Sequence, residues 1–288
     1  KCIRCGSGDY WLKPGRKLII CKVCRKEVSA LAGTMLSRSH LSLDAWYRII
    51  KLVTCSPDKV VTAKSVCRDM ELGSYRTSWE ALRKIRYAIS ANQPKQKLRG
   101  TIEFDEMVIN GHGSEYRKIS ILGALEVDGE KRLSLRMIRN PDEMNIKNYF
   151  KNNFSKDVAV ITDPEKLYIS NWLELNRIKQ ISSAESYQKH FMNLHVILQD
   201  VRYGIRNGHH SVSEQYMQEG LDEYVFVFSN NSDREQACEK LIDFMVNTDI
   251  SGYRSTKAKN KSFFSIIKEE NNKGENKLPG STPGSNNY

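Results

Sequence analysis

Two pairs of cysteines open the chain, Cys2-x-x-Cys5 and Cys21-x-x-Cys24, with fifteen residues between them. A Cys-x-x-Cys knuckle sets two thiolates at adjacent corners of a tetrahedron. A second knuckle closes it around a metal, with zinc–sulfur bonds of ~2.3 Å. Four thiolates leave no open position, so such a zinc is structural, and in so short a segment it supplies the folding energy. Iron–sulfur ligation and four metal-free thiols are the competing readings. A different chemistry is offered further on. Asp105 stands in Ile102-Glu103-Phe104-Asp105-Glu106, and Asp163 follows the apolar run Val158-Ala159-Val160-Ile161 and Thr162. Two converging carboxylates can hold divalent ions roughly 3.5–4 Å apart, one activating a water or 3′-hydroxyl and the other stabilising the leaving oxygen. Mg²⁺ suits such hard oxygen ligands. Each Asp taken singly reads as readily as a turn or cap residue.

Charge separates the chain into two parts. Residues 1–97 hold 20 Lys and Arg against 7 Asp and Glu, a net +13, while the remainder carries −2 of the total +11. A basic module joined to a near-neutral one suits a polyanion-binding part and a part with another task. A solvated basic face kept for solubility is the plainer alternative. The seven cysteines, four of them in knuckles, fit metal binding in a reducing compartment better than a disulfide framework. No run of eighteen apolar residues occurs, which excludes a hydrophobic membrane-spanning helix, and the first residues lack the pattern of a secretory signal.

The elements that would position these residues follow from periodicity. Tyr10-Trp11-Leu12 and Leu18-Ile19-Ile20 flank a Pro-Gly turn and read as a hairpin. Ser42 caps a helix with Trp46, Ile49, Ile50 and Val53 inward. A second helix is expected over Ala63–Met70, and a third through Trp79, Leu82, Ile85 and Ile89. The last of these carries Arg76, Arg83, Lys84 and Arg86, the residues that a helix-turn-helix would offer to a DNA groove. Residues 92–97 are a polar linker. Strands are then expected at Thr101–Ile109, Lys118–Val127, Arg132–Ile138 and Val158–Ile161, with helices at Met144–Phe154, Tyr168–Leu175, 189–206, 213–228 and 233–247. A short strand is expected near Ile178–Ile181. A mid-strand carboxylate on the first strand and another at the end of the fourth is the ribonuclease-H arrangement, in which those two strands are neighbours.

The paired knuckles, the stretch Ser29–Met35, Trp46, the Trp79–Arg86 helix and Glu103-Phe104-Asp105-Glu106 occur in a specific order. Thr162-Asp163, Tyr168, Gly208–Ser213 and Leu221-Asp222-Glu223-Tyr224 continue it. In these motifs the chain resembles the zinc-ribbon insertion-sequence transposases of the DDE superfamily, the ISXO-type group to which the Merlin elements are related. The resemblance spans about residues 1–247. It implies a third metal-site residue on a helix some thirty residues after Asp163, which falls on His195, with Asp200 as the fallback and Arg202 at the basic position two turns later. Imidazole suits Mn²⁺ better than Mg²⁺. The chain departs from the family pattern at Pro164, where a Gly is usual, at Ser229–Ser232, and in having Arg202 rather than Lys.

The sequence thus predicts an α/β ribonuclease-H-like catalytic domain preceded by a zinc ribbon and a helix-turn-helix. The expected bounds are 1–38 for the ribbon, 39–97 for the helix-turn-helix and linker, 98–250 for the transposase domain, and 251–288 for a disordered tail. The expected activity is metal-dependent cleavage and transfer of DNA strands at transposon ends, by a homo-oligomer on double-stranded DNA inside the cell and away from membranes. Structural Zn²⁺ and catalytic Mg²⁺ or Mn²⁺ are the expected cofactors. A domesticated copy that binds DNA without cutting it is the alternative. A zinc-ribbon regulator with an α/β effector domain is a third reading, disfavoured because a regulator has no need of the Asp pair.

Overall fold

A computed structural model of the chain describes residues 1–2, 4–13, 18–29, 31–56, 61–94, 96–110, 118–139, 141–162, 178–180, 192–208 and 214–254. They divide into two compact units, one built from Lys1–Ser37 with the described residues after Thr248, the other from Arg38–Thr248. The first holds an antiparallel three-stranded sheet, β1 (Tyr10–Lys13), β2 (Leu18–Cys21) and β3 (Glu27–Ser29). The expected hairpin pairs Tyr10 with Cys21 and Lys13 with Leu18. The third strand, absent from the sequence reading, is too short to show a period. Residues 250–254 add a helical turn in which Ile250 donates its N–H to the Gly33 carbonyl at 3.1 Å. Ordered chain therefore runs past residue 251, where the tail was expected to begin.

The second unit begins with α1 (Leu43–Cys55), α2 (Ala63–Asp69) and α3 (Tyr75–Ala91). Ser42 caps α1 as its type predicts, its hydroxyl accepting the Ala45 N–H at 3.1 Å. Thr62 and Ser65 close a reciprocal cap on α2. Trp46, Ile49, Ile50 and Val53 of α1 are buried, as are Leu82, Ile85 and Ile89 of α3, each set spaced for one helical face.

A five-stranded mixed sheet follows, in the order β6-β5-β4-β7-β8. Its strands are β4 (Thr101–Asn110), β5 (Lys118–Glu126), β6 (Leu133–Ile138), β7 (Ala159–Thr162) and β8 (Ile178–Gln180). β4 pairs antiparallel with β5 and parallel with β7, so the first and fourth strands of the sheet are neighbours. Helix α4 (Glu143–Asn153) covers one face, where Phe104 packs among Tyr149, Phe150 and Phe154. Helices α5 (Met192–Gly208) and α6 (Glu214–Ser229) cover the other face. The helix expected at 168–175 lies outside the described residues.

The last helix, α7 (Arg234–Asn247), returns to pack on α1 and α3. Its Ala237, Cys238, Leu241 and Met245 are buried, and Arg234 donates to the Cys55 carbonyl at 2.8 Å. Helices α1 and α3 therefore share a core with a helix that begins 179 residues after Cys55. No described helix is long and apolar enough to cross a membrane.

Candidate functional site

The two knuckles are built alike. The Cys2 carbonyl accepts the Gly6 N–H at 2.8 Å, and the Cys2 N–H donates to Ser7 at 2.7 Å. The Cys21 carbonyl accepts the Arg25 N–H, and the Cys21 N–H donates to Lys26, both at 3.0 Å. The fifth residue of each knuckle has positive φ, 74° at Gly6 and 58° at Arg25. Gly adopts this freely, whereas Arg25 carries a steric cost that its place in the knuckle requires. The four sulfurs gather, Cys2 to Cys24 at 3.6 Å and Cys5 to Cys21 at 3.4 Å, with every pair within 4.8 Å. Bonds of ~2.3 Å in a tetrahedron would space sulfurs by ~3.8 Å. The N–H groups of Arg4 and Cys5 draw the Cys2 thiol down to about 6. Cys5 goes the other way: the Ser7 N–H favours its thiolate, but the sulfurs of Cys21, Cys24 and Cys2 and burial outweigh that and push it to about 12. Four thiolates cannot all ionise at one spot without a cation among them. Among the described residues, these four alone bring three or more potential ligands together.

Asp105 lies mid-way along β4, 9% exposed, with its Oδ1 accepting the Glu106 N–H at 2.7 Å. Side chains alternate along a strand, so Glu103, Asp105 and Met107 share a face. That face is the one covered by α5, because Met107 joins the core of Leu194, Leu198 and Val201. The cross-strand partner of Asp105 is Gly123. The last described partners across β4 and β7 are Glu103 and Ile161, two residues before Asp105 and Asp163 respectively. Asp163 itself lies outside the described residues, as do Tyr168 and the stretch 209–213.

Helix α5 carries all three residues placed on it by the resemblance. Leu194, Ile197, Leu198 and Val201 form its buried stripe. At 100° per residue, His195 and Arg202 fall two turns apart on one flank of the stripe, and Asp200 falls on the opposite flank. His195 is half-buried, its Nε2 lying 3.3 Å from Gln199 Nε2. Asp200 accepts from the Tyr224 hydroxyl of α6 at 3.5 Å. Burial first, then the Asp200 charge, holds the Tyr224 phenol well above its ordinary value. The helix thus separates the two candidates, turning Asp200 towards α6.

The basic residues of α3 do not lie where a groove-reading helix would show them. Arg83 is 3% and Lys84 7% exposed. The Arg83 guanidinium sits 4.2 Å from the Tyr216 ring centroid and 5.1 Å from that of Trp79, and Lys84 lies over Trp46 at 5.7 Å. Arg86 donates to Glu223 at 2.5 Å and to the Val61 carbonyl at 2.8 Å. α3 turns this side to α6 because α6 supplies the matching acids. Asp222 accepts from the Ser90 hydroxyl at 2.6 Å, and its carbonyl accepts from Gln93 at 2.8 Å. The expectation that Arg83, Lys84 and Arg86 face DNA is therefore corrected: their charges are used inside the unit, and of the four only Arg76 is exposed.

Residues 97–229 match the family of the ISXO2-like transposase domain. Over this segment the match supports an insertion-sequence transposase of the DDE superfamily. The matched segment runs from the end of the linker through β4 to the end of α6, and so contains Asp105, Asp163, His195, Asp200 and Arg202. No curated protein matches the chain. The fold places two further residues beside Asp105: Glu103, which the sequence showed only as part of the Glu103–Glu106 motif, and Gly123, which it did not single out. A Glu between Ile102 and Phe104 in a strand with both faces covered was the available signal for the first.

Proposed function

We propose that the protein is a DNA transposase that cleaves and joins strands at transposon ends. The observation that carries this reading is the match of residues 97–229 to a transposase domain, with Asp105 on the central strand of its sheet. The sheet order, and the parallel neighbours β4 and β7, support a ribonuclease-H-like reading of that domain. Asp105, Asp163 and His195 are the proposed holders of Mg²⁺ or Mn²⁺. Oxygen donors suit the first ion and imidazole the second. Ions held by these residues would supply Lewis-acid chemistry to the scissile phosphate and to the attacking water or 3′-hydroxyl. The protein's own part is to hold Asp105 on a strand fixed by two neighbours, and to bring α5 down onto that face.

The cysteine cluster is proposed as a zinc ribbon, and α1–α3 as a helix-turn-helix that binds terminal repeats within a homo-oligomer. Arg76 is its exposed candidate for phosphate contact. The test is an end-cleavage assay on cognate ends with Mg²⁺ or Mn²⁺. Wild type should cut, and Asp105→Asn and Asp163→Asn should lose cleavage while keeping end binding, because one anionic ligand fewer releases the metal clamp. Pro164 and Ser229–Ser232 favour one rival, a domesticated binder. Wild-type protein that binds its ends but cuts with neither metal would establish it.

A further inference from the structure

Glu103 is fully buried on β4, two residues before Asp105 and on the same face of the sheet. Its Oε2 accepts the backbone N–H of Leu194 at 2.8 Å, Oε1 is buried, and the Asn193 side chain of the same helix turn also favours the charged carboxylate. Leu194 is the third residue of α5, one of the first-turn positions whose N–H has no acceptor within its own helix. Such groups are usually satisfied by a side chain just before the helix. Here the acceptor arrives from a strand 91 residues earlier in the chain. A buried carboxylate costs free energy unless its hydrogen bonds repay it, so packing alone gives no reason for a Glu at this place.

A second observation concerns the same helix. Gly123 stands opposite Asp105 on β5, and a Cβ there would lie 3.0 Å from Leu198 Cδ2 and 3.1 Å from Leu194 Cδ1. The α5 leucines therefore rest directly on the backbone at position 123, where a Cβ would make them give by a few tenths of an ångström. Leu194 takes part in both contacts, its N–H held by Glu103 and its side chain resting over Gly123. The next residue is His195.

We propose that Glu103 is a positioning residue for the metal site. By gripping the first turn of α5, it sets the height and rotation of that helix over β4, so that His195 meets Asp105. The inference rests on the reading of Asp105, Asp163 and His195 as metal holders, and its test separates the two.

The test uses the full chain with Glu103→Gln, which keeps an acceptor oxygen, and Glu103→Met, which fills the space without one. Two quantities are read: hydrogen exchange of the Leu194 amide, and Mn²⁺ affinity by electron paramagnetic resonance. In Glu103→Met, exchange at Leu194 should rise by tenfold or more and Mn²⁺ affinity fall by about ten- to a hundredfold, the usual effect of losing a group that orients a ligand. Glu103→Gln should recover most of both. Normal Leu194 protection and Mn²⁺ affinity in Glu103→Met overturn the inference, as does a Gln variant as impaired as Met. If wild type binds no Mn²⁺, the metal-site reading falls and the inference falls with it. Should Glu103→Met not fold, Gly123→Val, too large for the two leucine ends to clear by a few tenths of an ångström, displaces the same helix with Glu103 intact, and an unchanged Mn²⁺ affinity there overturns the idea.

Discussion

At Arg86 the guanidinium is 12% exposed and its partner Glu223 3% exposed, so neither charge can turn to water if the other is removed. Breaking such a pair costs about 3–5 kcal/mol, chiefly from the stranded charge. Arg86→Ala should therefore lower the unfolding midpoint sharply. Arg76→Ala, on the open side of α3, should leave the midpoint unchanged and reduce DNA affinity and its salt slope. Thermal melts and binding titrations of the two variants check this; a normal midpoint for Arg86→Ala would count against a structural role. Glu219 belongs to the same seam. Burial raises its carboxyl to about 7 from an ordinary 4.5, with Arg83 and Arg86 opposing the rise and Asp222 adding to it. A carboxyl whose folded pKa lies above its unfolded one holds its proton longer in the native state. It thus costs stability as pH rises from about 4.5 to about 7. Glu219→Gln should match wild type near pH 4.5 and gain on it up to pH 7, as urea midpoints across that range would show.

Among the elements, α5 is the one on which the proposed metal site depends. Its stripe Leu194, Ile197, Leu198 and Val201 was legible as a helical period, and its expected span of 189–206 stands close to the observed Met192–Gly208. Its closeness to the sheet was not legible, because it depends on an absent Cβ on another strand. Gly123→Ala forces the ends of two well-packed leucines to move, which costs about 1–3 kcal/mol in a dense core. Calorimetry should show that loss. Cleavage should fall further than stability alone predicts, since His195 moves with the helix. A variant with full activity would mean that the helix's height is not what sets the site.

For the molecule as a whole, packing divides the chain at Ser37 and Arg38, beside the expected end of the ribbon at 38, and puts no division at the linker of residues 92–97 where the charge changes. A cut at 97 would strip α3 from α6 and uncover Glu219, Asp222 and Glu223. A cut after Ser37 leaves that seam intact. Elemental analysis should find about one zinc per chain. If the four sulfurs hold a structural zinc, chelation should unfold Lys1–Ser37 while Arg38–Thr248 keeps its circular dichroism and melting behaviour. Loss of both units together, or protein without zinc that still shows the ordered sheet of β1–β3, would contradict a structural metal.

What the sequence determined by itself was local. The knuckles fix their own geometry over five or six residues, and a cap such as Ser42 needs only the turn that follows it. The periods of α1, α3, β4 and β5 are written in which residues are apolar. These features show because cause and effect lie within one turn or one strand of each other. The tertiary structure decided whatever depends on a distant partner. Arg86 looked like a surface cation until Glu223, 137 residues later, was packed against it. α7 had an unremarkable amphipathic pattern, and only the fold shows that α1 and α3 complete their core with it. Glu103 stood out only as part of a motif and Gly123 not at all, and their contacts come from α5 crossing above them. Burial of a charge, or the absence of a Cβ, has no local signature, because its energy depends on which neighbour arrives.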